Sequence, residues 1–408
     1  MIELQDIEEV IENNLDRTKW QKWKFSDLVE NIVEKVVPKK SGLEHYIGLE
    51  HLDTGSLKIR RFGETASLIG DKLRIYKGDF IFAKRNAYLK RVAIAEFDAV
   101  ASAHSMVLRA KPVNVLPEFL PFFLLSETFW ERAIEISVGS LSPTINWKAI
   151  AKQEFLLPPK DQQAKLAELL WAMDEVIESE LELLARLEKS LESKIEDEIH
   201  GIKLYGKTIQ EAIDELLCNN KVVQLSKLGK VLKGKGIAKS EVVNEGIPCI
   251  RYGELYTKHY RIIRDYYSFI TPETAKTGFK LQMNDVVLAG SGETITEIGR
   301  SAAFIDNVLA YAGSDTLIFR PENMDGTYLG YLMNSQLVRQ QLNKYGTGAT
   351  VMHIYALDIN KIIVPKITKD KQIEIGRVLE NLARNIMNIE SKIASSKALQ
   401  KSLINQIF

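Results

Sequence analysis

The sequence predicts an α+β chain built as an internal repeat. Two similar α/β units are separated by a long antiparallel coiled coil of two helices, related by a pseudo-twofold axis. Three observations carry this. The same block order occurs twice: a mixed segment, a strand end marked by proline, then a long helix. Both long helices carry an apolar stripe at steps of three and four residues. The two helices also differ in charge sign: 160–200 holds 5 Lys and Arg against 12 Asp and Glu, whereas 366–408 holds 8 against 4, so they attract one another.

The elements follow in order. Residues 1–20 read as a short acidic helix, and 21–158 form the first unit. A helix spans 159–200, and 201–220 read as a linker. The second unit covers 221–365, and 366–408 close the chain as the second helix. Four blocks align between the copies. KFSDLV meets QLSKLG at an offset of 200, and KGDFIFAKRN (from 77) lies against MNDVVLAGSG (from 283). Gly139 meets Gly346, and Pro158 meets Pro365, at 207; DQQAKL meets DKQIEI at 209. One chance match is common, but four in the same order are not.

The stripe of the first helix is Leu166, Leu170, Met173, Ile177, Leu181, Leu184, Leu187, Leu191, Ile195 and Ile199. The second has Ile375, Leu379, Leu382, Ile386, Ile389 and Ile393, then Leu399, Leu403 and Ile407. Each helix starts just after a proline-marked strand end, where a helix can begin but not extend backwards. A helix of ~38 residues spans roughly 57 Å, and so long a stripe needs a cover, which the other helix supplies. Trp171 falls just off this seam; it either faces a partner or thickens the core.

Composition excludes several classes. Hydrophobic content of 45% and charged content of 26% are those of an ordinary soluble protein. No apolar run reaches the ~18 residues of a membrane span, so no membrane role is expected. The acidic N-terminus is unlike a signal peptide. Cys218 and Cys249 have no metal spacing, which fits a cytoplasmic location. The six histidines (His45, His51, His104, His200, His259, His353) show no ligand spacing. LAGSGET lacks the lysine and helix context of a phosphate loop. There is no amino-methyltransferase tetrapeptide, no nuclease cluster and no catalytic triad. A reader without a chemical engine is expected, with no cofactor of its own.

The zero formal net charge hides segregation. Residues 17–112 hold 19 Lys and Arg against 11 Asp and Glu, and 221–320 hold 14 against 10; both units therefore suit a polyanion. Two loops per unit stand out. In the first unit, 83–91 carries Lys84, Arg85, Lys90 and Arg91, with Asn86 and Tyr88 between them. Cations find phosphates, and Arg and Asn can pair with base edges. A solvated hairpin turn is the bland alternative. The loop 138–148 offers Ser140, Ser142 and Thr144 beside Gly139. In the second unit, 289–300 offers Ser291, Glu293, Thr294 and Arg300, joined by Arg251 upstream. The loop 345–355 offers Thr347 and Thr350. These hydroxyl loops either bond nucleic acid or cap the helix before them.

YIGLEHLDTG, KGDFIFAKRNAYLKRVAI, SMVLRAKP and VGSLSPTINWKAIAKQEFLLPPKDQQAKLAELL together resemble the specificity subunit of Type I restriction–modification systems. The likeness runs over nearly the whole chain and is looser in KIIVPKITKDKQIEIGRVL. It implies two target recognition domains, each reading one half of a split, asymmetric site in double-stranded DNA. It further implies a helix pair that measures the unread spacer. The partners implied are two methyltransferase subunits, which bind S-adenosylmethionine and methylate adenine, and restriction subunits that translocate and cut. The specificity subunit itself would hold no active site. Within that frame Lys84, Arg85, Lys90 and Arg91 would hold the DNA backbone, with Arg85 and Asn86 also suited to bases. A specificity subunit of a related two-sided cutting system, a coiled-coil scaffold that never touches DNA, and a methyltransferase or nuclease with degenerate motifs are the alternatives.

Overall fold

A computed structural model describes residues 16–199, 208–219, 221–292, 294, 297–346 and 352–408. The acidic segment expected to form an N-terminal helix lies, for residues 1–15, outside the described residues. Two long helices dominate: α1, Lys160–Glu198, and α2, Lys369–Ile407. The chain divides into two units, and each long helix is shared between them. The first unit takes α1 up to Leu181 and α2 from Ser391 onward; the second takes Glu182–Glu390.

Within the stretch expected to be a linker, Ile209–Cys218 is a helix. Its start is a capping box: the Thr208 hydroxyl accepts from the Glu211 N–H, and the Glu211 carboxylate accepts from the Thr208 N–H. TIQE spells that signature in the sequence.

Each unit repeats one topology. In the first, an antiparallel sheet runs Val29–Ile32, Ser105–Ala110, Phe80–Ala83, Val92–Ile94. In the second, Gly229–Lys233, Thr316–Pro321, Val286–Ala289 and Ser301–Ala303 take the same order, with Arg261–Ile262 added in parallel at the edge. Each unit has another sheet with a single parallel pair: His45–Ile47 beside Ala99–Ala101, and Ile247–Ile250 beside Tyr311–Ala312. A two-stranded ladder brings each unit's first strand to its last: Gln21–Lys24 on Glu154–Leu157, and Val222–Gln224 on Ile363–Pro365.

The central strands explain the two-layer core. Along Phe80–Ala83 every residue is buried. Side chains alternate across a strand, so Phe80 and Phe82 face one core and Ile81 and Ala83 face the other. Val286 and Leu288 against Val287 and Ala289 do the same in the second unit. The first of each pair of cores is completed by the long helices: Leu166, Leu170, Leu403, Ile404 and Ile407 in one unit, Ile375, Leu379, Ile386, Leu191 and Ile195 in the other.

Two polar devices are built twice. The buried Asp79 carboxylate accepts from Arg109 Nε and Nη2 at 2.7 and 2.9 Å. Asp285 accepts from the same atoms of Arg320 at 2.8 and 2.7 Å. The fork geometry satisfies both oxygens of a desolvated carboxylate. At the start of α1, Gln163 accepts from the Leu116 N–H (2.8 Å) and donates to the Pro158 carbonyl (2.9 Å). Gln372, at the start of α2, accepts from the Asp325 N–H (3.0 Å) and donates to the Ile367 carbonyl (2.8 Å). These pairs correct the sequence alignment. Pro158 corresponds to Ile367, not Pro365, and the offset is 209 from Leu116 onward; the two prolines are an accidental match two residues out of register.

The 209-residue shift maps the helix halves of one unit onto those of the other, and there they differ. In the first unit buried Asp174 accepts from Gln400 Nε2 at 3.4 Å, and buried Glu180 pairs with Lys392 at 2.9 Å. The equivalents are Ala383 with Leu191 and Ile389 with Leu183. The pairing within the first unit is antiparallel, since the partner number falls from 400 to 392 as position rises from 174 to 180. Burial holds the Asp174 carboxyl above the usual carboxylate range, despite the Gln400 amide. Trp171 thickens the core: its Nε1 donates to the Glu118 carbonyl at 2.8 Å and its ring meets Phe122 edge-on at 5.1 Å.

Gln400→Leu is expected to cost about 1–3 kcal/mol, because it strands a buried carboxylate. Adding Asp174→Ala, which reproduces the Ala383–Leu191 pair, should restore most of it. Protonation of Asp174 removes the stranded charge, so the single variant's deficit should shrink as pH falls through the raised pKa. Urea melts of the full chain across pH read all three outcomes.

Candidate nucleic-acid interface

The two loops singled out in the first unit lie together. Arg85 and Thr144 form an antiparallel bridge, and the Ile145 N–H donates to the Lys84 carbonyl at 2.8 Å. The Ala87 N–H donates to the Pro143 carbonyl at 3.2 Å. The turn Ala87–Leu89 is flanked by Asn86 and Lys90, both left-handed with φ of 57° and 48°. Asn enters that region more readily than most residues.

Side chains then sort by partner. Arg85 is exposed, and its Nε donates to Ser142 Oγ at 2.9 Å. The Ser142 hydroxyl donates in turn to Asn86 Oδ1 at 2.7 Å. Thr144 donates to the Ser142 carbonyl at 3.1 Å. Tyr88 is 57% exposed and Ser140 also faces solvent. Lys84 is half-buried, which pushes its ammonium pKa down. A partly desolvated cation gains when an anion arrives. Lys90 and Arg91, expected to hold the DNA backbone, are committed inside the unit instead. Lys90 pairs with Glu127, which also takes Lys401 at 3.1 Å. Arg91 Nη1 donates to the Leu49 carbonyl at 2.8 Å. Sequence could not separate the four cations, because the partners lie far away in the chain.

The second unit uses the same framework. The Ile354 N–H donates to the Gly290 carbonyl at 3.0 Å, matching Ile145 and Lys84. Ser291 pairs with His353 in a short ladder, and Ser291 Oγ shares a 2.9 Å hydrogen bond with His353 Nδ1. Here Ser291 stands where Arg85 stands, and His353 where Thr144 stands. Beside them is a cleft of about 520 Å³ lined by Lys233, Asp315, His353, Tyr355 and Leu357, among others. Tyr355 is 59% and Leu357 74% exposed. Lys233, His353 and Tyr355 were not among the expected site residues, though the last two lie in a loop the repeat had marked.

Of the remaining expected residues, those described do not gather here. Arg251 follows the strand Ile247–Ile250 and is not part of this cleft's lining. Thr294 N–H donates to the Glu297 carboxylate at 3.0 Å, within its own turn. Arg300 points inward, with Nη1 3.4 Å from the Tyr256 carbonyl. Its charge, after burial itself, helps lower the pKa of Arg339 to about 10. Glu293, Thr347 and Thr350 lie outside the described residues. Among the described residues no helix is long and apolar enough to cross a membrane.

Residues 18–189 match the family model described as the Type I restriction modification DNA specificity domain. That match covers a little under half of the chain. The chain is 22% identical over 265 residues to the Type I restriction enzyme MjaVIII specificity subunit of Methanocaldococcus jannaschii, covering 62% of this chain and 60% of that one. It is 26% identical over 193 residues to the EcoDI specificity subunit of Escherichia coli, covering 44% of this chain and 41% of that one. The matched segments therefore span less than two thirds of those relatives. Its fold is similar to that of the Type I restriction–modification S subunit from M. genitalium, with a TM-score of 0.60 at 13% identity, covering 95% and 96% of the two chains. A chain from a structure concerned with assembly and conformational transition of the type I system has a TM-score of 0.52 at 18% identity, covering 95% and 96%. The similarity of fold thus covers both units, beyond residues 18–189.

The partner assignments separate the cations experimentally. Lys84→Ala should weaken binding to all duplex sequences and flatten the salt dependence by about one phosphate contact. Lys90→Ala should lower the melting temperature and leave that slope unchanged. Fluorescence anisotropy with duplex DNA across salt, beside thermal melts, checks both.

Proposed function

We propose that this chain is the DNA sequence-recognition subunit of a Type I restriction–modification complex. Each unit reads one half of a bipartite, asymmetric site. One observation carries the reading: two loops distant in sequence meet in each unit on a common backbone framework, yet present different side chains, Arg85, Asn86 and Ser142 in one and Ser291 and His353 in the other. A shared scaffold with divergent reading groups is what two half-sites of different sequence require.

The chain acts without chemistry of its own in this proposal. Methyltransferase subunits, two in number, bring S-adenosylmethionine and methylate adenine; restriction subunits bring cleavage. Helices α1 and α2 set the unread spacer. Their stripe recurs every three or four residues, so seven added residues preserve the seam.

Selection of the full-length chain against a randomised duplex pool should enrich two short motifs with a fixed gap. Inserting seven residues after both Leu181 and Glu390 should keep both motifs and lengthen the gap. The added rise is about 10 Å at ~1.5 Å per residue, or roughly three base pairs at ~3.4 Å each. One gapless motif, or an unaltered gap, would overturn the reading.

A further inference from the structure

We infer that the first unit reads one guanine through Arg85, and that Ser142 is the positioning residue that presents it. The inference rests on the DNA-recognition reading and adds the base, the atoms and the half-site concerned.

Arginine has five N–H donors in a planar fork. In Arg85 the Nε is occupied by Ser142 Oγ at 2.9 Å. No other hydrogen-bond partner of Arg85 is found among the described residues, so the Nη donors of this exposed side chain remain available to a ligand. A guanidinium held at Nε offers its Nη pair as one edge. That edge matches the O6 and N7 acceptors that guanine alone presents side by side in the major groove.

The hold on Arg85 is itself directed. The Ser142 hydroxyl has one proton, and it goes to Asn86 Oδ1 at 2.7 Å. Its lone pairs are thereby turned toward Arg85 Nε. Asn86 is fixed by its left-handed backbone, and Ser142 by the bridge between Arg85 and Thr144, two residues further along its own loop. Three side chains from two loops therefore fix one exposed guanidinium before any ligand arrives. A surface arginine that only met phosphate would gain little from this, since phosphate accepts from many directions; a base edge accepts from one. Prior fixing lowers the rotamer entropy lost on binding.

Among its described residues the second unit shows no such device. Ser291 occupies the position of Arg85 on the same ladder and spends its hydroxyl on His353. The guanine contact inferred here therefore belongs to the first unit's half-site.

The test is selection of the full-length chain against a randomised duplex pool, repeated with Arg85→Ala, Arg85→Lys, Ser142→Ala and Ser142→Thr, each confirmed folded by thermal melting. The wild-type motif should contain a guanine in one half-site. Arg85→Ala and Arg85→Lys should each flatten that position, on the order of 10- to 100-fold, and leave the other half-site intact. Arg85→Lys keeps the charge, so its salt slope should stay as in wild type. Ser142→Ala should weaken the preference and Ser142→Thr, which keeps the hydroxyl, should retain it. If Arg85→Ala weakens every sequence equally and lowers the salt slope by about one, Arg85 lies on a phosphate and the inference is overturned. A wild-type motif with no column that Arg85→Ala flattens overturns it equally. If the wild-type chain selects no motif, the recognition reading fails first and takes this inference with it.

Discussion

The fold depends on one constraint: each unit must complete its larger core with two helix halves that come from different parts of the chain. Phe82, Phe123 and Phe129 in the first unit meet a surface made by Leu166 and Leu170 of α1 and by Leu403, Ile404 and Ile407 of α2. Apolar area of this kind supplies most of a domain's stability, at about 25 cal/mol per Å². Neither helix could end early without opening a core. The equal length of the two helices, 39 residues each, follows from that.

Polar devices show which parts of the repeat are under structural demand. The Asp79–Arg109 fork and its copy Asp285–Arg320 place a buried carboxylate beneath a strand turn in each unit. Gln163 and Gln372 each close a backbone donor and a backbone acceptor at the mouth of a long helix. An alternative residue there would leave buried groups unsatisfied at ~1–3 kcal/mol each. The loops above the framework face no such demand. Position 85 and its counterpart 291 could diverge from arginine to serine without touching either core.

Much of the fold was legible because it rests on periodicity. Steps of three and four marked Leu166 through Ile199, and nearly every residue of that stripe is buried or half-buried. Repeated block order marked the units. Residue-level register was less legible: Pro158 and Pro365 look equivalent, and only the hydrogen bonds of Gln163 and Gln372 show that they are not. The interface was legible as loops but not as side chains. Nothing local distinguishes Arg85, exposed and bound to Ser142, from Arg91, tied to the Leu49 carbonyl. The helix at Ile209–Cys218 carried its capping signature openly, yet its shortness and flanking glycines made it resemble a connector.

The cross-helix pairs of the first unit also break the equivalence that duplication leaves behind. Were residues 160–181 to meet 182–199 of another copy, Asp174 would be entombed against Leu191 and Glu180 against Leu183. The mirror error would set Gln400 against Ala383 and Lys392 against Ile389. Three of these mismatches strand a buried group, Asp174, Glu180 or Gln400, that has its mate in the native arrangement, whereas Lys392 stays exposed. Asp174, Glu180 and Gln400 therefore favour the joining of α1 with α2 over the joining of either helix with its own like.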